Sequence, residues 1–168
     1  MTQKRFITIG TFDGVHIGHR FLFGRLDALA VQYLQKPLVL YFPLPPKTLL
    51  GAHPEMTVLS TPAEKKHLLK ELGMQAAALD FDACRNMEPA EFFEKILLQK
   101  YQMGGLLVGP DFAFGKDRRG DTDFLRAECA KQGIPFEASA FYQTDGEKVS
   151  SSLIRKTLAM GDTERVSA

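Results

Sequence analysis

The sequence lacks the features that mark several large classes of protein. It has only two cysteines, Cys84 and Cys129, which lie far apart in neither a CxxC nor a Cys/His cluster, so we expect a reduced pair. No apolar stretch is long enough for a signal-peptide core or a membrane span, which predicts a cytoplasmic protein. With 21 basic and 20 acidic side chains, the formal net charge of +1 indicates no general attraction to nucleic acid or to a membrane.

The composition is that of an ordinary soluble domain. The 168 residues are 45% hydrophobic and 24% charged, which suits one buried core and is far from disordered compositions. We therefore predict a single domain over residues 1–168. Because the charges balance, any phosphate binding must come from a local arrangement of residues.

Strand-like and helix-like segments alternate along the chain. Short apolar runs predict five strands, at residues 6–9, 38–42, 76–81, 106–108 and 136–142. Helix starts are predicted at Thr61 and Pro62, at Pro89, at Asp121 or Thr122, and at Ser150. Pro37 is expected to break the first helix, and Asp145 and Gly146 to form a tight turn. This order predicts an α/β fold with a mostly parallel five-stranded sheet and helices on both faces.

Three unusual loops each follow a predicted strand, at residues 10–19, 43–56 and 109–121. The Pro-rich loop 43–56 is too long for a simple connection in a compact domain. In parallel sheets, ligands bind at the carboxyl ends of the strands, where the strand order reverses. The three loops therefore predict where the site lies.

The first loop, GTFDGVHIGH, predicts a phosphate site. Its glycines permit a tight turn, and His16 and His19 are three residues apart, so near a helix start they face the same way. The helix N-terminus offers unpaired N–H groups to an anion, and two imidazole donors beside it would stabilise a departing pyrophosphate. Incidental histidines and a zinc site are the alternatives, although no HExxH motif or nearby Cys completes a zinc ligand set. There is no GxGxxG dinucleotide fingerprint.

Two further segments contain candidate binding residues. In VSSSLIRKTLAMGD, Ser150 and Ser151 are good helix caps, and Ser152 and Arg155 lie on the first turn, where they would form a second phosphate clamp. Alone, such a helix start is more often only a cap.

The segment VGPDFAFGKDRRGD follows the fourth predicted strand. Asp111 could accept a hydrogen bond from a ribose or base, and Phe112 and Phe114 could stack on a ligand or pack inside. Lys116, Arg118 and Arg119 form a short basic run. A solvated charge run beside core phenylalanines is an equally good interpretation.

Together and in this order, the motifs resemble the FMN adenylyltransferase module of the bacterial bifunctional riboflavin kinase/FAD synthetase family, over essentially the whole chain. The family pattern of GxFDGVHxGH, F-x-P-H-P, VGxDFxFG and ISSTxIR is matched by GTFDGVHIGH, YFPLPPK, VGPDFAFGKDRRGD and VSSSLIR. The HxGH element alone marks the wider nucleotidyltransferase superfamily. The DFxFG and SSxxIR elements narrow the resemblance to the flavin branch.

The resemblance implies a Rossmann-like fold and transfer of AMP from ATP to FMN, with magnesium, to form FAD and pyrophosphate. It also implies a riboflavin kinase domain linked in the natural polypeptide. We predict no dedicated metal site, because magnesium arrives with the phosphates of ATP and keeps several waters. The predicted catalytic residues are His16, His19 and Arg155. The predicted substrate-binding residues are Gly10, Phe12, Asp13, Gly14, Gly18, Asp111, Phe112, Phe114, Ser150, Ser151 and Ser152.

The sequence departs from the family pattern in three places. Pro45 stands where histidine is usual, and Ser152 replaces a threonine but keeps the hydroxyl. The chain stops at GDTERVSA, where the family continues into a kinase domain. Two alternatives stay open: a nucleotidyltransferase with another phosphorylated acceptor, and a non-catalytic flavin- or nucleotide-binding module.

Overall fold

A parallel sheet lies at the centre of the protein. The computed structural model describes residues 3–49, 51, 58–144 and 146–163. Within these residues, the strands of the sheet are β1 (Arg5–Gly10), β2 (Lys36–Tyr41), β3 (Ala76–Ala78), β4 (Met103–Val108) and β5 (Phe136–Ala138). Their order is β3-β2-β1-β4-β5, and every neighbouring pair is parallel. The predicted α/β fold with a five-stranded, mostly parallel sheet is confirmed.

Helices connect the strands. They are α1 (Ile17–Gln32), α2 (Pro46–Leu49), α3 (Pro62–Glu71), α4 (Phe81–Cys84), α5 (Pro89–Glu91), α6 (Thr122–Lys131) and α7 (Ser151–Ala159). Helix α5 runs directly into a π-helical segment, Phe92–Lys100, and Asp13–Val15 and Lys116–Arg118 are 3₁₀ turns. A short hairpin, β6 (Gln143–Thr144) and β7 (Glu147–Lys148), precedes α7. Among the described residues, no helix has both the length and the apolar character needed to cross a bilayer.

The apolar core has two layers, one on each face of the sheet. Because successive side chains of a strand point to opposite faces, Ile7 and Ile9 of β1 pack on one side and Phe6 on the other. The π-helical segment and α6 cover the first side with residues such as Leu97 and Leu125. Helices α1 and α3 cover the second side. Helices therefore lie on both faces, as the alternating pattern predicts.

The predicted helix starts follow the capping signals in the sequence. Thr61 and Glu64 form a reciprocal capping box around Pro62 at the start of α3, with N···O distances of 2.8 and 3.2 Å. Of the two candidates at α6, Asp121 is the cap, and it accepts from the Phe124 N–H at 2.8 Å. Ser150 caps α7 by accepting from the Leu153 N–H at 3.2 Å. These local signals confirm three predicted helix boundaries.

The predicted strand boundaries are wrong at several ends. Strands β3 and β5 end at Ala78 and Ala138 rather than at residues 81 and 142, and Asp80 instead caps α4. Pro37 does not directly end α1, which stops at Gln32, and lies near the start of β2. Asp145 of the predicted turn lies outside the described residues, and its neighbour Gly146 has a φ of 78°.

Strand β4 begins at Met103, three residues before the predicted start at Leu106. Because glycines are poor strand formers, the sequence pattern does not predict that the strand begins before Leu106. A Cβ on Gly105 would lie 2.3 Å from the Phe6 ring, and one on Gly104 would lie 2.7 Å from the Lys4 Cβ. The close approach of β1 therefore requires glycine at position 105, and the approach of Lys4, just before β1, favours it at position 104.

Replacing Leu107, which is fully buried in β4, with alanine is expected to lower the free energy of unfolding by about 2–5 kcal/mol, since a cavity remains in the core. The measurement is urea unfolding followed by circular dichroism. Leu34→Ala is the matched control, because Leu34 is 89% exposed. Equal effects of the two substitutions would contradict the position assigned to Leu107.

Candidate active site

A cleft of about 430 Å³ opens at the carboxyl end of the sheet. The chain passes from β1 outwards to β2 and β3, then crosses back to β4 and β5 on the other side of β1. The strand order therefore reverses between β1 and β4, which is where parallel sheets bind ligands. The cleft walls come from the turn after β1, the loops after β2 and β4, residues 139–142 and the start of α7.

The turn after β1 has an unusual backbone. Phe12, Gly14 and Val15 have φ values of 49°, 77° and 44°, in the left-handed region that a β-branched residue such as Val15 rarely adopts. The Phe12 ring folds back over Gly10, where an added Cβ would lie 2.7 Å from it. Strained backbone of this kind persists where surrounding contacts hold it, and it is concentrated at functional sites.

His16 and His19 stack on one another at the start of α1. Their ring centroids are 3.6 Å apart, and the rings are inclined by 22°. A Cβ on Gly18 would lie 3.2 Å from the His16 ring, so glycine at this position makes room for the stack. The Nδ1 atoms of both rings are buried and have no hydrogen-bond partner in the protein. Buried polar atoms without partners are rare, and among the described residues two of the five such side-chain atoms belong to the residues predicted to bind phosphate.

Both imidazoles are kept neutral by their surroundings. Burial lowers the pKa of His16 from 6.5 to about 4, although the nearby Asp13 carboxylate opposes the shift. The pKa of His19 is lowered well below 6.5, first by burial and then by the neighbouring His16 and Lys65. A neutral imidazole has one N–H donor and one acceptor nitrogen, so each ring can donate one hydrogen bond to a ligand.

The carboxylate of Asp13 points into the protein and joins three segments of the chain. It is 2% exposed and accepts from the backbone N–H groups of Leu59 and Ser60 at 3.0–3.1 Å. The Ser60 hydroxyl lies 3.3 Å from the same carboxylate and accepts from the Gly14 N–H at 3.0 Å. A buried carboxylate needs such donors, because an unpaired buried charge is costly.

Helix α7 is attached to the same aspartate. The Arg155 guanidinium donates to an Asp13 carboxylate oxygen at 2.8 Å, and the Ser151 hydroxyl donates to the Asp13 backbone carbonyl at 3.0 Å. Asp13 therefore fixes the first turn of α7 beside the two histidines. The structure brings both predicted phosphate segments to one cleft.

Lys65 of α3 is a buried amine beneath this turn. The side chain is fully buried, and its Nζ donates to the backbone carbonyls of Phe42 and Pro43 at 3.0 Å each. Burial lowers the Lys65 pKa to about 8, against the opposing charge of Asp13. This amine ties α3 to the end of β2, where the loop leading to Pro45 and α2 begins.

Of the predicted site residues in the loop after β4, two lie at the cleft and one lies in the core. Asp111 is exposed at the cleft, where the Lys148 Nζ lies 3.5 Å from its carboxylate and 3.2 Å from the centroid of the Phe141 ring. Phe112 also lines the cleft. Phe114 is 7% exposed and packs in the core, with its ring 5.2 Å from that of Phe92.

Most of the predicted site residues line the cleft. The residues found there are Gly10, Phe12, Asp13, Gly18, His16, His19, Asp111, Phe112, Ser150, Ser151, Ser152 and Arg155. Gly14 and Phe114 do not line it. The sequence-based prediction missed Lys47, Tyr142 and Lys148, which do line it, and the buried Lys65. Lys47 lies in the loop 43–56, whose residues 50 and 52–56 are outside the described part of the chain.

No metal-binding cluster occurs in the described part of the chain: no group of three or more His, Cys, Asp or Glu side chains is arranged to hold an ion. The absence of a dedicated metal site stays a prediction. Magnesium is treated below as part of the nucleotide substrate.

Several curated proteins are similar to this chain. The bifunctional riboflavin kinase/FMN adenylyltransferase of Pseudomonas fluorescens is 35% identical over 156 residues, which are 92% of this chain and 50% of that protein. The protein of the same name from Escherichia coli K12 is 29% identical over 91% of this chain and 50% of its own length. The FAD synthetase of Listeria monocytogenes is 28% identical over 92% of this chain and 63% of its own length. The chain spans about half the length of the two bifunctional relatives.

A solved structure has the same fold. It is a crystal structure described as a macrolide-efflux protein from Streptococcus pneumoniae, with a TM-score of 0.81 and 25% sequence identity. The match covers 99% of this chain and 55% of that one. The family model for FAD synthetase matches residues 1–153, which are most of the chain and include nearly all of the cleft residues described above. The chain therefore belongs to the FAD synthetase family.

Proposed function

We propose that this chain transfers AMP from ATP to FMN, forming FAD and releasing pyrophosphate. One observation carries the proposal: two stacked, neutral histidines with unpartnered buried nitrogens lie beside the start of α7 at the point where the strand order reverses. Membership of the FAD synthetase family and the names of its relatives support FMN as the acceptor.

The reaction needs positioning and charge stabilisation and no covalent intermediate with the protein. A phosphate oxygen of FMN attacks the α-phosphorus of ATP in line, and the bond from that phosphorus to the bridging oxygen of the β-phosphate breaks. Negative charge grows on the departing pyrophosphate. His16 and His19 donate hydrogen bonds where this charge develops. Their pKa values are lowered by burial, and a bound anion raises them, so that the imidazoles can take up a proton from solvent.

The start of α7 is the second anion-binding element. Its first N–H groups and the Ser152 hydroxyl lie at the amino end of a nine-residue helix, where the helix dipole favours negative charge. Ser150 and Ser151 orient this end through the cap and the contact to Asp13. Arg155 adds a positive charge beside the cleft while bound to Asp13, so we assign Asp13 the role of positioning this guanidinium.

We assign the acceptor to the side of the cleft formed by Phe42, Pro45 and Lys47, after β2. Magnesium enters with ATP and requires no residue of its own. We also propose that residues 1–168 act as one adenylyltransferase domain and that the natural polypeptide carries a riboflavin kinase domain. The half-length match to relatives named as bifunctional supports this proposal.

The direct test incubates the purified chain with ATP, magnesium and FMN and measures FAD and pyrophosphate by chromatography. We expect both products in equal amounts. Absence of FAD at high protein concentration, while ATP and FMN each bind, would overturn the proposed reaction and favour a binding module.

His19→Ala is expected to lower the rate of FAD formation by about 10²–10³-fold, the usual effect of removing one donor to developing charge. His67→Ala is the matched control. The His67 side chain is 70% exposed on α3 and lies 3.2 Å from Glu71, away from the cleft. Thermal unfolding of both variants separates lost chemistry from lost fold, and equal rates for the two would contradict the assignment of His19.

Binding of magnesium–ATP is expected to take up protons from solution. Burial holds the pKa of His16 near 4, and a bound polyphosphate raises it because the anion favours the imidazolium. The affinity for magnesium–ATP should therefore increase as the pH falls from about 7 to about 5.5, because more of the bound protein then has a protonated His16.

Calorimetry in buffers of different ionisation enthalpy measures this proton uptake. His16→Gln removes one of the two imidazoles and serves as the comparison, since both proteins share the ionisation of the ligand itself. We expect a smaller uptake in the variant, and an unchanged uptake would contradict the role of His16.

A further inference from the structure

The loop after β4 directs two neighbouring arginines to different surroundings. Phe114 and Gly120 form an antiparallel bridge with N···O distances of 2.9 and 3.0 Å, which closes residues 115–119 into a narrow tip. Arg118 lines the cleft. The Arg119 guanidinium instead donates to both carboxylate oxygens of Glu88, at 2.6 and 2.7 Å. The short basic run in the sequence therefore contains one residue at the cleft and one held by an ion pair.

The backbone of this tip is strained at the arginine that lines the cleft. Asp117 and Arg118 have φ values of 54° and 56°, in the left-handed region that two consecutive residues with side chains rarely adopt. Such a conformation persists only where other contacts hold it. Here the Phe114–Gly120 bridge and a 2.8 Å bond from the Lys116 N–H to the Met87 carbonyl hold it, whereas the half-exposed Arg119–Glu88 pair contributes little. The tip therefore fixes the backbone from which Arg118 extends.

The charges around the cleft leave Arg118 available to a ligand. The cationic residues that line the cleft are Lys47, Arg118, Lys148 and Arg155. Arg155 contacts Asp13, and Lys148 contacts Asp111. Within residues 3–49, 51, 58–144 and 146–163, no acidic side chain pairs with the Arg118 guanidinium. A cation at the mouth of a phosphate-binding cleft without a carboxylate partner is suited to an anionic ligand.

We propose that Arg118 binds the phosphate groups of ATP, an assignment that rests on the adenylyltransferase function proposed above. The loop after β4 lies on the side of β1 opposite β2, away from the proposed acceptor loop. The Lys148–Asp111 contact joins this loop to the segment just before α7, the second phosphate-binding element. The phosphates therefore lie between His16 and His19 on one side and Arg118 on the other, and the planar guanidinium donates two parallel hydrogen bonds to phosphate oxygens.

The test compares Arg118→Ala with Arg119→Ala in the full chain by calorimetric titration. The ligands are magnesium–ATP, magnesium–pyrophosphate and FMN, each titrated alone. We expect Arg118→Ala to weaken the binding of ATP and of pyrophosphate by about 10–100-fold, the loss of one charge-assisted contact, and to leave FMN binding unchanged. Arg119→Ala should leave the affinities for all three ligands within about twofold of the unsubstituted protein.

Arg118→Lys keeps the charge and should recover part of the lost affinity, whereas an effect on the fold alone would not be recovered in this way. Thermal unfolding checks that the variants are folded. Unchanged ATP and pyrophosphate affinity in Arg118→Ala, a loss confined to FMN, or failure of the unsubstituted protein to bind ATP would each overturn the proposal. Binding is measured without turnover, so a protein that makes no FAD but loses ATP affinity in Arg118→Ala would contradict the proposed reaction and support the role of Arg118.

Discussion

The buried carboxylate of Asp13 is the interaction on which the arrangement of the cleft depends. Its partners lie 46, 47 and 142 residues further along the chain, in the segment before α3 and in α7. These contacts hold the histidine turn, the segment before α3 and α7 together. One carboxylate does so because each of its oxygens accepts from more than one donor. The strained turn at Phe12 and Val15 is held by these same contacts.

Lys65 adds a second set of buried contacts, which join α3 to the end of β2. Its buried ammonium satisfies two carbonyls at the end of β2 and lies close enough to influence His19. The neutrality of the two histidines is therefore a property of several elements together. Burial removes water, the stacked partner disfavours a second charge, and a nearby cation disfavours it further. Under the function proposed above, a bound phosphate opposes these effects, which links its binding to the charge state of the two histidines.

The sequence predicted the architecture, and most of the predicted site residues line one cleft, because the signals for both are local. The capping residues Thr61, Asp121 and Ser150 act within three residues, and the glycines and histidines of the first turn act within one loop. Phe114 is different: its place in the core depends on residues such as Phe92 from another element. The spacing does place Lys65, unlike its exposed neighbour Lys66, on the same face of α3 as Leu68 and Leu69. Its two carbonyl partners at the end of β2, however, cannot be read from the sequence. Long-range partners of this kind leave no periodic pattern to read.

The contact between Asp13 and Arg155 also has a consequence for biosynthesis. The ribosome releases the histidine turn early, together with the first strand, and α7 only after nearly all of the described chain. Until then Asp13 has only part of its set of donors, and the wall of the cleft formed by the start of α7 is missing. A nascent chain therefore contains all five strands of the sheet before the cleft has all of its walls. The cleft is complete only when α7 contacts Asp13, through two residues that lie 142 positions apart in the sequence.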